Sequence, residues 1–264
     1  MRHHLPALLL AFWPAAAEIR DVMKSAEIDS TFARTQQAAA VHEKPNYAVT
    51  FRVHQGAPGP NVAYYSADEV WFVRRGSAKL TLGGERKYEA GAGDVVHVPR
   101  RTTFQIDPGG GRFEYVVVRV FPATAPPRPA FGRILEPRRM PDVLKKAAID
   151  ATFANSDSNQ PLHGGSNFTV NYVIYKGKSG PWEAHRGCVD IYFIYTGEAA
   201  AMLGGEITSA KEEQPGEIRG TGVSGARTHR IGPGDIVLIP RNGAHHMVPS
   251  TEKLGYLLVK VWAE

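Results

Sequence analysis

Glu183-Ala-His185-Arg-Gly-Cys-Val-Asp190-Ile-Tyr-Phe-Ile-Tyr-Thr-Gly197 and Gly234-Asp-Ile-Val-Leu-Ile-Pro240-Arg-Asn-Gly-Ala-His245-His246 are the two stretches on which the fold turns. Each holds a run of β-branched and aromatic residues, Ile191 to Tyr195 and Ile236 to Ile239, closed by glycine or proline, which predicts strands. On a strand, Glu183 and His185 project from the same face. A turn can return Asp190 to that face, and His245 follows the second strand. Two imidazoles and two carboxylates form a charge-neutral set for a divalent ion. They suit Mn²⁺, Fe²⁺, Ni²⁺ or Zn²⁺ and disfavour Cu(I), which prefers sulfur.

The chain carries this frame twice. Asp21-Val-Met-Lys-Ser-Ala-Glu-Ile-Asp-Ser-Thr-Phe-Ala33 reappears as Asp142-Val-Leu-Lys-Lys-Ala-Ala-Ile-Asp-Ala-Thr-Phe-Ala154. At the same offset His42 matches His163, Asn46 matches Asn167, Phe72 matches Phe193 and Gly76 matches Gly197. After an insertion within Glu206–Arg230, Gly93-Asp94 matches Gly234-Asp235 and Pro99 matches Pro240. So long a period predicts a duplicated domain rather than a solenoid. In the first copy the four candidate ligand positions read Val62, Tyr64, Glu69 and Phe104. Three of four ligands are replaced by apolar or aromatic groups, so metal chemistry is expected in the second copy alone.

Each copy opens with a helical pattern, Val22/Met23, Ile28, Phe32 and Val143/Leu144, Ile149, Phe153. Strands are expected at Tyr47 to Val53, Val70 to Val73, Val95 to Val98 and Tyr115 to Val120. In the second copy they are expected at Phe168 to Tyr175, Ile191 to Tyr195, Ile236 to Ile239 and Tyr256 to Val261. Many short strands with Gly turns and no alternating helices predict an all-β antiparallel sandwich or barrel. A Pro-rich linker at 123–141 divides an N-terminal unit, 18–122, from a C-terminal unit, 142–264. The insertion, rich in Gly, Glu and Ser, reads first as a surface hairpin and second as a lid near a site mouth.

Residues 1–17 read as a secretory signal: Arg2, an apolar run from Leu5 to Pro14 too short to span a bilayer, then Ala15-Ala16-Ala17. A secreted or periplasmic protein is therefore expected, with no membrane helix. The single cysteine, Cys188, cannot close an internal disulfide and is expected to be buried. A formal charge of +5 comes from scattered pairs such as Arg74-Arg75 and Arg100-Arg101, which argues against nucleic-acid binding.

The two quoted stretches resemble the two motifs of the cupin superfamily. The first family motif runs His-x-His, three or four residues, Glu, six residues, Gly; here it is Glu183-x-His185, four residues, Asp190, six residues, Gly197. The second runs Gly, five residues, Pro, x, Gly, two residues, His; here it is Gly234, five residues, Pro240, Arg241, Asn242, two residues, His245. The first copy fits the same frame through Glu69, Gly76, Gly93 and Pro99. The resemblance implies two cupin jelly-roll β-barrels in tandem, a bicupin, each preceded by a short helix, with a metal in the second. Glu183 stands where the family has its first His, and Asp190 where it usually has Glu, so the resemblance does not by itself imply a three-His oxygenase mechanism. A Glu-x-His start also resembles the manganese-dependent ureidoglycine aminohydrolases, which continue with His where this chain has Val189.

The expected metal ligands are Glu183, His185, Asp190 and His245. Glu183, if not a ligand, is a candidate general base, and Tyr192, on the inward parity of Asp190, is a candidate proton donor. His246 should face the opposite way from His245. His42, His163, Asn46, Asn167 and Arg241 have counterparts in the other copy and are expected to be structural. The expected function is a metal-dependent enzyme acting on a small polar organic molecule, with oxygenase, lyase, isomerase and hydrolase all open. The alternative is a non-catalytic binding or storage cupin stiffened by its metal. Paired barrels leave a homo-oligomer open.

Overall fold

A computed structural model describes residues 21–122 and 139–262. The signal-like segment 1–17 and the proline-rich stretch 123–138 lie outside the described residues. No helix among the described residues is long and apolar enough to cross a membrane.

Each half is built from facing antiparallel sheets. In the first, Ala38–Lys44, Tyr47–Gln55, Asp68–Arg75, Val95–Val98 and Arg112–Val120 form the larger sheet. Opposite it lie Val62–Ala63, Thr103–Asp107, Ser77–Leu82 and Arg86–Gly91. The second half repeats that sheet with Gln160–Gly164, Phe168–Lys176, Cys188–Thr196, Ile236–Ile239 and Lys253–Trp262. Its facing sheet holds Lys211–Gln214, Glu217–Gly220, Trp182–His185, His245–Pro249, Ala199–Leu203 and Arg227–Ile231. The expected strands all form. Inward side chains fill each barrel, Trp71, Leu80 and Phe113 in the first and Tyr192, Leu203 and Tyr256 in the second.

The outer faces of the two larger sheets pack on each other. Phe72 and Phe193 stack at 3.4 Å between ring centroids, within one apolar cluster drawn from both halves. Asn46 donates to the carbonyl of Trp262, and Asn167 donates to that of Phe121, so these two asparagines stitch the halves together. His163 lies beside His97 in the same seam at 4.2 Å between ring centroids.

The ends of the sheets cross from one half to the other. Val22–Met23 pairs with Ile236 and Val237, and Val143–Leu144 pairs with Val95 and Val96. The helical pattern expected to begin at Val22 and Val143 is corrected here. Those residues are edge strands, and the helices are Ser25–Arg34 and Lys146–Asn155, burying Ile28, Phe32 and Ile149, Phe153. The reason lies in the caps. A helix leaves its first N–H groups without partners and favours a carboxylate there. Asp235 accepts from Ser25 N at 2.7 Å and Asp94 accepts from Lys146 N at 2.7 Å, each from the other half. Lys24 and Lys145 close onto the same two carboxylates.

Gly76 and Gly197 close equivalent turns with φ of 77° and 76°. A Cβ there would stand 1.9 Å from Arg112 O and 2.0 Å from Lys253 O. Asn242, where the family motif has Gly, keeps the left-handed backbone with φ 61°, which asparagine tolerates.

Candidate metal centre

Glu183 and His185 alternate inward on Trp182–His185, as period two requires, and His245 lies directly across from Glu183 in the neighbouring strand. One ligand atom from each of Glu183, His185 and His245 falls within 4.8 Å of the others, the one such group among the described residues. His245 Nε2 is 3.3 Å from Glu183 Oε1.

His245 is 1% exposed, and its Nδ1 lies 3.0 Å from the carbonyl of Gly243. A carbonyl only accepts, so Nδ1 donates to it, and Nε2 is the ring nitrogen turned toward Glu183. That buried Nε2 has no hydrogen-bond partner. A metal-binding imidazole is commonly oriented by a bond of this kind to a backbone carbonyl.

Asp190 is adjacent. Its Oδ2 is 3.4 Å from His185 Nε2, and its Oδ1 is 3.6 Å from Lys260 Nζ, with Lys260 directly across the sheet. Burial would raise the Asp190 carboxyl, but Lys260, His185 and His245 hold it far below the usual carboxylate range. The first half keeps this pair as Glu69 and Arg119, 2.6 Å apart. A cross-strand acid–base pair is thus common to both barrels, whether or not imidazoles surround it.

Glu183 is also held ionised: burial pushes it up, and His245 and His185 more than reverse that. Burial would lower His185, but Asp190 and Glu217 outweigh it and raise its pKa to about 9. Tyr192 donates to Asp190 Oδ2 at 3.4 Å and stacks on Tyr256 at 4.3 Å. Its burial drives the phenol well above its ordinary value, so it remains protonated and keeps a proton to donate. Burial likewise pushes the Cys188 thiol up, away from the reactive thiolate.

His246 turns outward and stacks on Trp182 at 5.0 Å. Arg241 donates to the carbonyl of Arg186 at 2.7 Å, and His163 sits in the seam, so neither belongs to this group. In the first half, Val62 pairs with Phe104, Tyr64 packs on Phe104 at 5.9 Å, and Arg119 lies over the Tyr64 ring at 3.8 Å. Side chains occupy the space that the imidazoles take in the second half.

A cavity of about 210 Å³ opens beside Glu183, His185 and Asp190, walled by Tyr175, Tyr192 and Tyr256. Its fourth wall comes from the insertion, which is more than a surface hairpin. Glu217–Gly220 pairs with Trp182–His185 and brings Glu217 and Arg219 onto the cavity. Glu217 Oε2 lies 2.8 Å from His185 Nδ1, close enough for charge attraction but off the line of a hydrogen bond. Sequence reasoning missed Glu217, Arg219 and Lys260. The signal available was the inward parity that Glu217 and Arg219 share once their strand is placed.

No protein-family model matches this sequence, and no curated protein does either. Solved structures share its backbone. A cupin 2 conserved barrel domain protein from Leptotrichia buccalis superposes with a TM-score of 0.64 at 11% identity, covering 93% of this chain and 98% of that one. Salicylate 1,2-dioxygenase from Pseudaminobacter salicylatoxidans superposes at 0.64 with 10% identity, covering 97% and 88%. The same enzyme in its adducts with gentisate superposes at 0.63 with 10% identity, covering 96% and 84%. At such identities the likeness concerns the fold: two cupin jelly-roll barrels in tandem, each preceded by a short helix.

Proposed function

We propose that the second barrel binds one divalent transition metal through Glu183, His185 and His245, and that the protein is a metal-dependent enzyme acting on a small organic molecule. The observation that carries this is His245, whose Nδ1 is committed to Gly243 while its buried Nε2 has no partner and faces Glu183. A buried ring nitrogen left without a hydrogen-bond partner costs free energy unless something takes it up, and a cation suits the neighbouring carboxylate. When bound, such an ion supplies Lewis acidity toward a carbonyl, carboxylate or water.

The chain's own groups divide the remaining work. Glu183 is ionised and its low pKa makes it a poor proton acceptor, which favours ligation over a general-base role. Asp190, fixed by Lys260 and 3.4 Å from His185 Nε2, is the fourth candidate ligand. Tyr192 keeps its proton, directed at Asp190 Oδ2 at 3.4 Å, and by turning from it can donate to a substrate oxygen that gains charge. Tyr175, Tyr192 and Tyr256 wall the cavity beside these groups. Metal identity among Mn, Fe, Zn and Ni stays with the donor set, which admits all four.

The wider reading includes export through residues 1–17, units at 18–122 and 142–264 joined by 123–141, and descent by internal duplication. The matched strand order of the two larger sheets supports the last of these. Metal analysis after remetallation tests the core claim. Close to one ion per chain is expected in the wild type and none in His185→Ala or His245→Ala; a metal-free wild type would refute it.

A further inference from the structure

The inserted strand supplies a cation to the cavity that the barrel frame lacks. Arg219 lies directly opposite Glu183 and lines the cavity. Its Nη1 reaches Glu213 at the rim, 3.3 Å away, where a 54% exposed carboxylate is screened by water. Its Nε, by contrast, is buried and has no hydrogen-bond partner. A charged N–H withdrawn from water without an acceptor is costly, unless the acceptor is a ligand.

The charges of the cavity agree. Its carboxylates are Glu183, Asp190 and Glu217, and its fixed cations are Lys260 and Arg219. Lys260 is already taken by Asp190, at 3.6 Å, so Arg219 is the cation with a donor to spare. The cavity, about 210 Å³, is smaller than the roughly 300 Å³ at which drug-sized ligands begin to fit, so the occupant is small.

Resting on the metal-binding reading above, we infer that the substrate is a small organic acid whose carboxylate is received by Arg219 Nε, with its other end turned to Glu183, His185 and His245. Arg219 is then the specificity residue, and the insertion is the element that sets the substrate class. The first half, which has no such insertion, presents no equivalent cation on an inserted strand.

The test uses the full chain loaded with Mn²⁺, and calorimetric titration with pyruvate and benzoate against their neutral amides, pyruvamide and benzamide. At least one acid should bind about tenfold or more tightly than its amide. Arg219→Gln should remove that preference while leaving metal content and unfolding midpoint near wild type; Arg219→Lys, which keeps the charge, should retain part of it. Equal affinity for acids and amides in the wild type, or an undiminished preference in Arg219→Gln, would overturn the inference. Metal content, measured separately, distinguishes this from failure of the metal site. A wild type that takes up no Mn²⁺ refutes the earlier reading, whereas a loaded protein indifferent to charge refutes only this one.

Discussion

Removing the ammonium of Lys260 tests how the charged floor of the second barrel is held. Asp190 is 2% exposed and ionised, and the Lys260 side chain is 17% exposed. Stripping the partner from a buried charge costs about 3–5 kcal/mol. The partial exposure of Lys260 places Lys260→Met near the lower end, about 3 kcal/mol. For a chain of this size each kcal/mol shifts the midpoint by about 2–4 °C, so a fall of about 6–12 °C is expected by calorimetry in chelator at pH 7. Asp190→Asn in the same chain removes the orphaned charge but keeps an acceptor for Tyr192, and should recover at least half of the loss. The pH dependence has a definite sign. A depressed carboxyl pKa stabilises the fold above its ordinary value of about 3.9, and that contribution fades as pH falls through the folded pKa. Without Lys260, Asp190 protonates more readily, so the deficit of Lys260→Met should shrink as the pH is lowered toward 4. A midpoint within about 2 °C of wild type, or a double variant no better than the single, would refute the reasoning.

Metal uptake at pH 7.5 should release a proton from His185, whose pKa of about 9 leaves it charged in the metal-free protein. Titration in buffers of different ionisation enthalpy would count that proton. The stability His185 contributes without metal is full below about 6.5 and should fade as pH rises through about 9. Glu217→Gln should weaken metal binding by about 10- to 100-fold with little loss of fold, as read by competition with a chelator. Gly197→Ala sets a Cβ against Lys253 O and should cost at least about 2 kcal/mol in denaturant unfolding. Phe193→Ala opens the seam against Phe72 and should cost about 3–5 kcal/mol, measured the same way.

What the sequence disclosed follows from local rules. Glu183 and His185 share a face because strand side chains alternate, and Ile28 and Phe32 share one because helical side chains recur every turn. The cupin motifs supplied Asp190 and His245 and, through them, the frame of both barrels. Other features depend on long-range pairing that no local pattern records. Val22 and Met23 are too few to show a strand period, and the hydrophobic spacing folded them into the helix that follows. Asp94 and Asp235 show in the sequence only as a matched pair of the repeat, although each caps the other half's helix. Glu217 and Arg219 sit in a polar, glycine-rich stretch of solvent-exposed character, and only its pairing with Trp182–His185 turns them inward. Lys260 hides as one cation in an apolar strand until Asp190 is placed across from it.

The crossing of edge strands between the halves makes the order of synthesis matter. Lys24 leaves the ribosome early, yet the Asp235 that receives it lies 211 residues further along. Loop-closure entropy must be met over nearly the whole chain before that edge is satisfied. A nascent first barrel therefore waits with the Val22–Met23 strand and the Ser25–Arg34 helix uncapped, and its own edge at Val95 and Val96 open until Val143–Leu144 arrives. Folding should complete only when the last strands are free. A fragment cut at the proline-rich stretch would then display two raw sheet edges, a starting point for association between chains rather than a minimal working barrel.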